Sequence, residues 1–242
     1  MNDVSRMKPN EMLPKTKIAI LFLALLTLSV SCKEEKTVLF GEFKNSTIGE
    51  FPLYKILPDD VVFWDTIQAI EGKFIYQLNE KDIGIYLIAY NEDNLYSFIA
   101  QKGDRLIFSG NADSLKQTFN VKGNQESELL LQTRQKLDQF YDKTEQLSKM
   151  FINSRYTNQH EAVIHHVDSI YQTEFDAHKK YLTQFIRQNK GKLATLLAFY
   201  QKIGRVQFFC EENDSELLKE IYEELTKTHP QSIYVTSVSE KF

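Results

Sequence analysis

From residue 37 to residue 121 apolar and polar positions alternate with a period of two, and β-branched and aromatic side chains fill the apolar set. That period sends successive side chains to opposite faces of an extended chain, so it predicts strands buried on one side. Eight are expected, at 37–44, 51–57, 61–69, 73–78, 83–90, 95–101, 105–109 and 118–121. Turn-forming residues separate them: Asn45-Ser46, Pro58-Asp59-Asp60, Glu71-Gly72, Asn79, Asn91 to Asn94, and Lys102-Gly103-Asp104. A parallel neighbour needs a crossover of about a dozen residues or more. Strands spaced this closely therefore predict antiparallel pairing, in an all-β sandwich or open barrel.

After Lys122-Gly123 the period becomes 3.6. Asn124 is placed to cap a first helix, with Glu126 and Glu128 in its first turn and an apolar stripe of Leu130, Leu137, Phe140, Tyr141, Leu147 and Phe151. A second helix is expected from Asn158, with Glu161 completing a capping-box spacing. Its stripe is Val163, Val167, Ile170, Tyr171, Phe175, His178, Leu182 and Phe185, and Gly191 ends it. A third is expected over 192–209. A fourth begins after Asn213, with Leu218, Ile221, Tyr222 and Leu225 inward, and Pro230 stops it. The fold class read from the pattern is α+β: an antiparallel β-domain over 37–123, then a bundle of about four helices over 124–242.

Ahead of the first strand the pattern changes again. Lys15 and Lys17 precede an apolar run from Ile18 to Leu28, and the small residues Ser29, Val30 and Ser31 close on Cys32. This is the order of a secretory leader, and the run falls short of the roughly 20 residues that span a bilayer. The segment also resembles the lipobox of bacterial lipoproteins, with Ser29 where that motif prefers Leu. The resemblance implies a leader over 1–31, cleavage before Cys32, acylation of its thiol by palmitate-type chains, and a tether over 32–36. Two or more acyl chains anchor a protein stably where one does not. Lys33, Glu34 and Glu35 then resemble the signal that exports some lipoproteins of Gram-negative bacteria to the cell surface. The expected location is the outer membrane, lipid-anchored, facing the periplasm or exposed at the surface. A leader without lipid and an ordinary solvated linker are the alternatives.

Charge narrows the partners. The chain carries a net −4; the segment before Cys32 holds Arg6, Lys8, Lys15 and Lys17 against Asp3 and Glu11, so its removal leaves −6. A chain of that sign does not favour phosphate backbones, and no nucleic-acid partner is expected. With Cys32 acylated, Cys210 is the one free thiol, which excludes an intramolecular disulfide, a CxxC redox pair and a thiolate zinc site.

The β-part is similar to a domain of unknown function (family number 4369) found at the amino terminus of lipoproteins from one group of Gram-negative bacteria. The matching residues are Gly41-Glu42-Phe43, Leu53-Tyr54, Asp65-Thr66, Glu71-Gly72-Lys73-Phe74, Gly103-Asp104 and Gly123-Asn124. In that family the β-domain and a helical segment usually precede a thioredoxin-like redoxin domain with a CxxC pair. Phe185-Ile186, Leu193 to Tyr200 and His229-Pro230-Gln231-Ser232 resemble the connecting segment. The resemblance implies architecture and location. The motif that would hold the redox pair is not in this sequence, so no catalytic residue is carried over.

Other constellations bear on chemistry. His160 and Glu161 suggest a zincin, but His165 falls five residues after His160 instead of four, and on a helix the two rings then diverge by about 140°. No metal or other cofactor is expected. Trp64, Tyr90 and Tyr96 could form a surface platform for a glycan, and Phe40, Phe43, Phe63, Phe74, Tyr86, Phe98 and Phe108 read as core. Thr66, Ser114 and Ser169 sit in Asp-Ser/Thr-aliphatic tripeptides that resemble O-glycosylation sites of the same bacterial group. The expected function is a non-catalytic binding or scaffolding module of the envelope, for an envelope protein or for a glycan or peptide ligand. The alternative is an accessory part of a thiol-disulfide oxidoreductase that docks a separate redoxin partner.

Overall fold

The structure is a computed structural model and describes residues 36–79 and 82–241; Cys32 and the neighbouring Lys33, Glu34 and Glu35 lie outside the described residues. Eight strands come first: β1 (Thr37–Lys44), β2 (Glu50–Ile56), β3 (Val61–Gln68), β4 (Lys73–Leu78), β5 (Gly84–Ala89), β6 (Leu95–Ala100), β7 (Arg105–Asn111) and β8 (Asn120–Lys122). A short helix, α1 (Leu115–Thr118), precedes β8. Then come α2 (Gln125–Ser154), α3 (His160–Gln188), α4 (Leu193–Phe199), the small pair β9 (Lys202–Ile203) and β10 (Val206–Gln207), α5 (Ser215–Thr228) and α6 (Ile233–Ser239). Strands first and helices after make the class α+β.

The strands form two four-stranded sheets, in the orders β4-β1-β7-β8 and β3-β2-β5-β6, and no barrel closes. Local turns are as the sequence predicts. Glu71 and Gly72 both take positive φ, 51° and 72°, and Ile70 and Lys73 exchange backbone hydrogen bonds of 2.9 Å across them. Two central residues at positive φ give a tight two-residue turn, which here carries the chain from β3 in one sheet to β4 in the other.

Pairing is antiparallel throughout with one exception that corrects the sequence expectation: β1 and β7 run parallel, from Val38 opposite Arg105 to Lys44 opposite Asn111. The crossover that parallel pairing demands is the whole of β2 to β6. Short turns govern only neighbours in sequence, so they are silent about a pair joined over such a distance.

The two sheets share one core. Phe43, Phe74 and Phe108 from the first meet Phe51, Tyr86 and Phe98 from the second, with Phe98 and Phe108 edge-on at 5.0 Å. Phe40 and Phe63, both expected inside, face away from that core: Phe40 is half-buried on the outer side of β1, and Phe63 on β3 is 61% exposed.

The helices cover the back of the second sheet at one end. Asn124 caps α2 as expected, accepting from the Ser127 N–H at 2.8 Å, and its amide donates to the Ile99 carbonyl at 2.8 Å. The Ser127 hydroxyl donates to the same carbonyl at 2.7 Å and accepts from the Ile99 N–H at 3.0 Å. These bonds fasten α2 to β6. Ile85 and Ile99 then join Phe185, Leu193, Phe199 and Leu218 in a second core.

Four expectations for the helices are corrected. Six α-helices occur among the described residues, not about four. The helix expected over 192–209 ends at Phe199, and a tight hairpin with Gly204 at φ 56° follows. The break lets Phe208 and Phe209 point to different places: Phe208 enters between α2 and α3 against Phe140, Phe175 and His178, and Phe209 stacks on Phe199 at 5.2 Å. Gln159, not Asn158, stands at the start of α3, and Tyr141 is 52% exposed.

His178 sits in this helical core, its Nε2 2.8 Å from Gln201 Oε1 and its ring 4.4 Å from Phe208. Burial pushes its pKa below the usual 6.5, opposed by the Gln201 bond and helped by the Lys136 charge on α2. A depressed pKa means that the unfolded chain binds the proton first. The contribution of His178 is therefore full above pH of about 6.5 and is lost as pH falls through the lower folded value. The melting temperature should drop more steeply from pH 7 to pH 5 in the wild type than in His178→Phe; equal slopes in thermal scans would refute this.

Candidate functional site

Where the β2–β3 turn meets α4 and α6, packing leaves a cleft of about 250 Å³. Its walls are Ile56, Leu57 and Ile85 from the sheet, Leu196 and Leu197 from α4, and Val238 from α6. Each arrives for a local reason. The turn closes through Leu57 N–H to Asp60 O at 2.8 Å, which sets Pro58 and Asp59 at the rim. The α6 wall is pinned by Tyr234, whose hydroxyl donates to the Ile56 carbonyl at 2.6 Å and accepts from the Ile85 N–H at 3.0 Å. Ile56 and Ile85 are themselves a ladder pair of β2 and β5, so one hydroxyl locks the open end of that ladder to the last helix.

The α4 wall is held from below by a carboxylate. Glu126, 8% exposed, accepts from the N–H groups of Leu193 and Ala194, both at 3.0 Å. These are orphan donors of the first turn of α4, and an anion there also meets the positive end of the helix. His229 Nε2 lies 3.8 Å from the same carboxylate.

Polar groups converge at one end of the cleft. Tyr200 donates to Glu211 Oε1 at 2.9 Å, and Lys241 lies 3.5 Å from the same oxygen. Burial first, then the bond to Glu211 and its charge, push the Tyr200 phenol well above its usual 10, so it remains a donor at any physiological pH. An apolar trough with one hydrogen-bonding, charge-balanced end is suited to an apolar group attached to a polar one. Clefts that take drug-sized ligands run to roughly 300–1,000 Å³, so this one fits something smaller. A larger shelf of about 520 Å³, lined by Pro52, Tyr54, Val61, Leu87 and Leu95, lies on the outer face of the second sheet, but it is shallow and gathers few polar groups.

The aromatic trio read from the sequence does not assemble into a platform. Tyr96 is 6% exposed and stacks on Phe119 at 3.6 Å, and burial pushes its phenol up to about 12. Trp64 is half-buried, edge-on to Tyr86 at 5.9 Å and under the Lys55 ammonium at 5.1 Å. Tyr90 is half-buried against Phe43 and Phe51, its hydroxyl donating to Ser46 Oγ at 3.0 Å. On a strand, period two alone does not tell an inward aromatic from an outward one; the sheet pairing does.

Of the tripeptide hydroxyls, Thr66 is half-buried in β3, Ser114 is half-buried beside α1 with its carbonyl accepting from the Thr118 hydroxyl, and Ser169 is exposed in mid-α3. His160 Nδ1 lies 2.8 Å from Ser154 Oγ and its ring packs on Phe151, while His165 and His166 are exposed. No three of His, Cys, Asp and Glu gather as metal ligands among the described residues, and no helix among them is long and apolar enough to cross a membrane. Cys210 is half-buried and unbridged, its N–H donating to Asp214 Oδ2 at 2.9 Å. No pattern along the chain announces the cleft, because Ile56, Leu197, Glu211 and Val238 come from four distant segments.

A comparison with family models, curated proteins and solved structures finds no match.

Proposed function

We propose that the protein is a lipid-anchored, non-catalytic binding module of the bacterial outer membrane, held through Cys32, that takes an apolar side chain of an envelope peptide into the cleft under Tyr200. The cleft carries this reading. Its apolar walls and polar end match a side chain joined to a backbone amide. Glu211 and Lys241 offset each other's charge, so the polar end favours a neutral group with both donors and acceptors.

Two measurements test the halves separately. Cells fed labelled palmitate should label the wild type and not Cys32→Ala, and the variant should leave the membrane fraction; label retained on the variant would overturn the anchor. N-acetylleucinamide, an aliphatic side chain on neutral amides that donate and accept, should bind the full chain saturably in a calorimetric titration. Leu197→Arg should weaken that binding at least tenfold with unchanged circular dichroism, because the new side chain fills the trough. Leu87→Arg, on the sheet shelf, should leave it unchanged. Equal binding by wild type and Leu197→Arg would show that the probe does not sit in the cleft and would overturn the cleft as the binding site.

A further inference from the structure

The outer face of the β4-β1-β7-β8 sheet carries an apolar row inside a cationic frame. Phe40 on β1 pairs with Ile75 on β4 and with Ile107 on β7, and Ile107 pairs with Lys122 on β8, so the four lie in one line across the sheet. Ile75 is 75% exposed and Ile107 53%. The adjoining outward positions are Gln77, Val38 and Arg105 on one side, and Lys73, Glu42 and Ser109 on the other. With Lys36, whose ammonium reaches Gln77 Oε1 at 3.3 Å, and Lys44 at the far end of β1, this face holds five cations among the described residues. Glu42, 3.4 Å from Lys73, is the one carboxylate at its outward strand positions. Five cations against one carboxylate give this face a local positive excess on a chain whose net charge is −4.

Chain length sets where this face can be. Four residues separate Cys32 from Thr37, which makes five steps, and an extended chain advances at most about 3.6 Å per step, so β1 begins within roughly 18 Å of an acylated Cys32. Arg105 and Gln77 flank that same end of β1. Basic residues held that near an anionic leaflet are drawn to it, and exposed aliphatic side chains beside them enter the boundary between headgroups and acyl chains.

We propose that this face lies against the membrane, with Ile75, Phe40 and Ile107 set into the interface and Arg105, Lys122, Lys36 and Lys73 on anionic headgroups. The inference rests on the anchor reading through Cys32 and adds an orientation: the second sheet and the cleft then face away from the bilayer.

The test uses the full acylated chain in vesicles of phosphatidylcholine with about one third phosphatidylglycerol. A nitroxide is placed at Ile107→Cys in a Cys210→Ser background, with Tyr156→Cys, at a 98% exposed site on the helical side, as the reference. At position 107, collisions with dissolved oxygen should rise several-fold and collisions with a water-soluble nickel complex should fall, with no change at position 156. Arg105→Glu with Lys122→Glu, or 1 M salt, should reverse the effect by removing or screening the attraction. If the chain sediments with the vesicles while position 107 stays as wet as position 156, the face is not docked and the anchor stands. If the chain remains in the supernatant, the anchor reading and this inference fall together.

Discussion

Gly123→Ala should lower the free energy of unfolding by about 3 kcal/mol or more. Gly123 has φ 116°, a region that side chains of L-residues rarely enter. A Cβ there would lie 1.9 Å from the Arg105 carbonyl oxygen and 3.2 Å from Leu106 Cα. Both neighbours are backbone of β7, so no side-chain rotation relieves the contact. Either β8 leaves β7 or α2 leaves β6, and each move opens a core. Gly204→Ala is the control: its φ is 56° and nothing lies within 4 Å of the added carbon, so only the backbone cost of about 1 kcal/mol remains. Urea unfolding should show a fall in midpoint with an unchanged slope for both. Equal losses in the two variants would mean that β7 and β8 part to admit the methyl group at no cost, and the clash would then contribute nothing.

Glu126→Ala comes next, at about 3 kcal/mol, because it leaves the Leu193 and Ala194 N–H groups buried without an acceptor, at roughly 1–3 kcal/mol each. Glu126→Gln retains one acceptor oxygen and should lose about half as much. The consequence reaches the candidate site, since α4 supplies Leu196, Leu197 and the approach to Tyr200. Probe binding by Glu126→Ala should therefore weaken at temperatures where circular dichroism still reports a folded chain. If the variant binds like the wild type and unfolds at the same urea concentration, Glu126 does not hold α4.

Glu126 also shows where sequence reading stops. As an acid in the first turn of α2 it has a sufficient local explanation, favourable charge at a helix start, and nothing nearby hints that it serves another helix starting at Leu193. The same holds for β7. Its alternation marks it as a strand, but residues 38 and 105 carry no mutual signature that would announce a parallel pair. Phe208 and Phe209 read as one turn of a helix because their neighbours are apolar at helical spacing; two separate cavities need them, and the backbone breaks after Phe199 to supply both.

What the chain determined by itself is whatever is settled within a few residues: the strand segments, the Glu71-Gly72 turn, the Asn124 cap, the long α2 and α3 helices, and hence the α+β class. These follow from steric limits on φ and ψ and from the side-chain period, which act over one or two turns of chain. Tertiary structure alone decided the parallel β1–β7 pair, the inward turn of Tyr96, the capping of α4 by Glu126, the cleft, and the apolar row with its cationic frame on the first sheet. Each of these joins residues separated by tens of positions, through non-directional apolar burial or through hydrogen bonds to a distant partner, and neither leaves a local pattern to read.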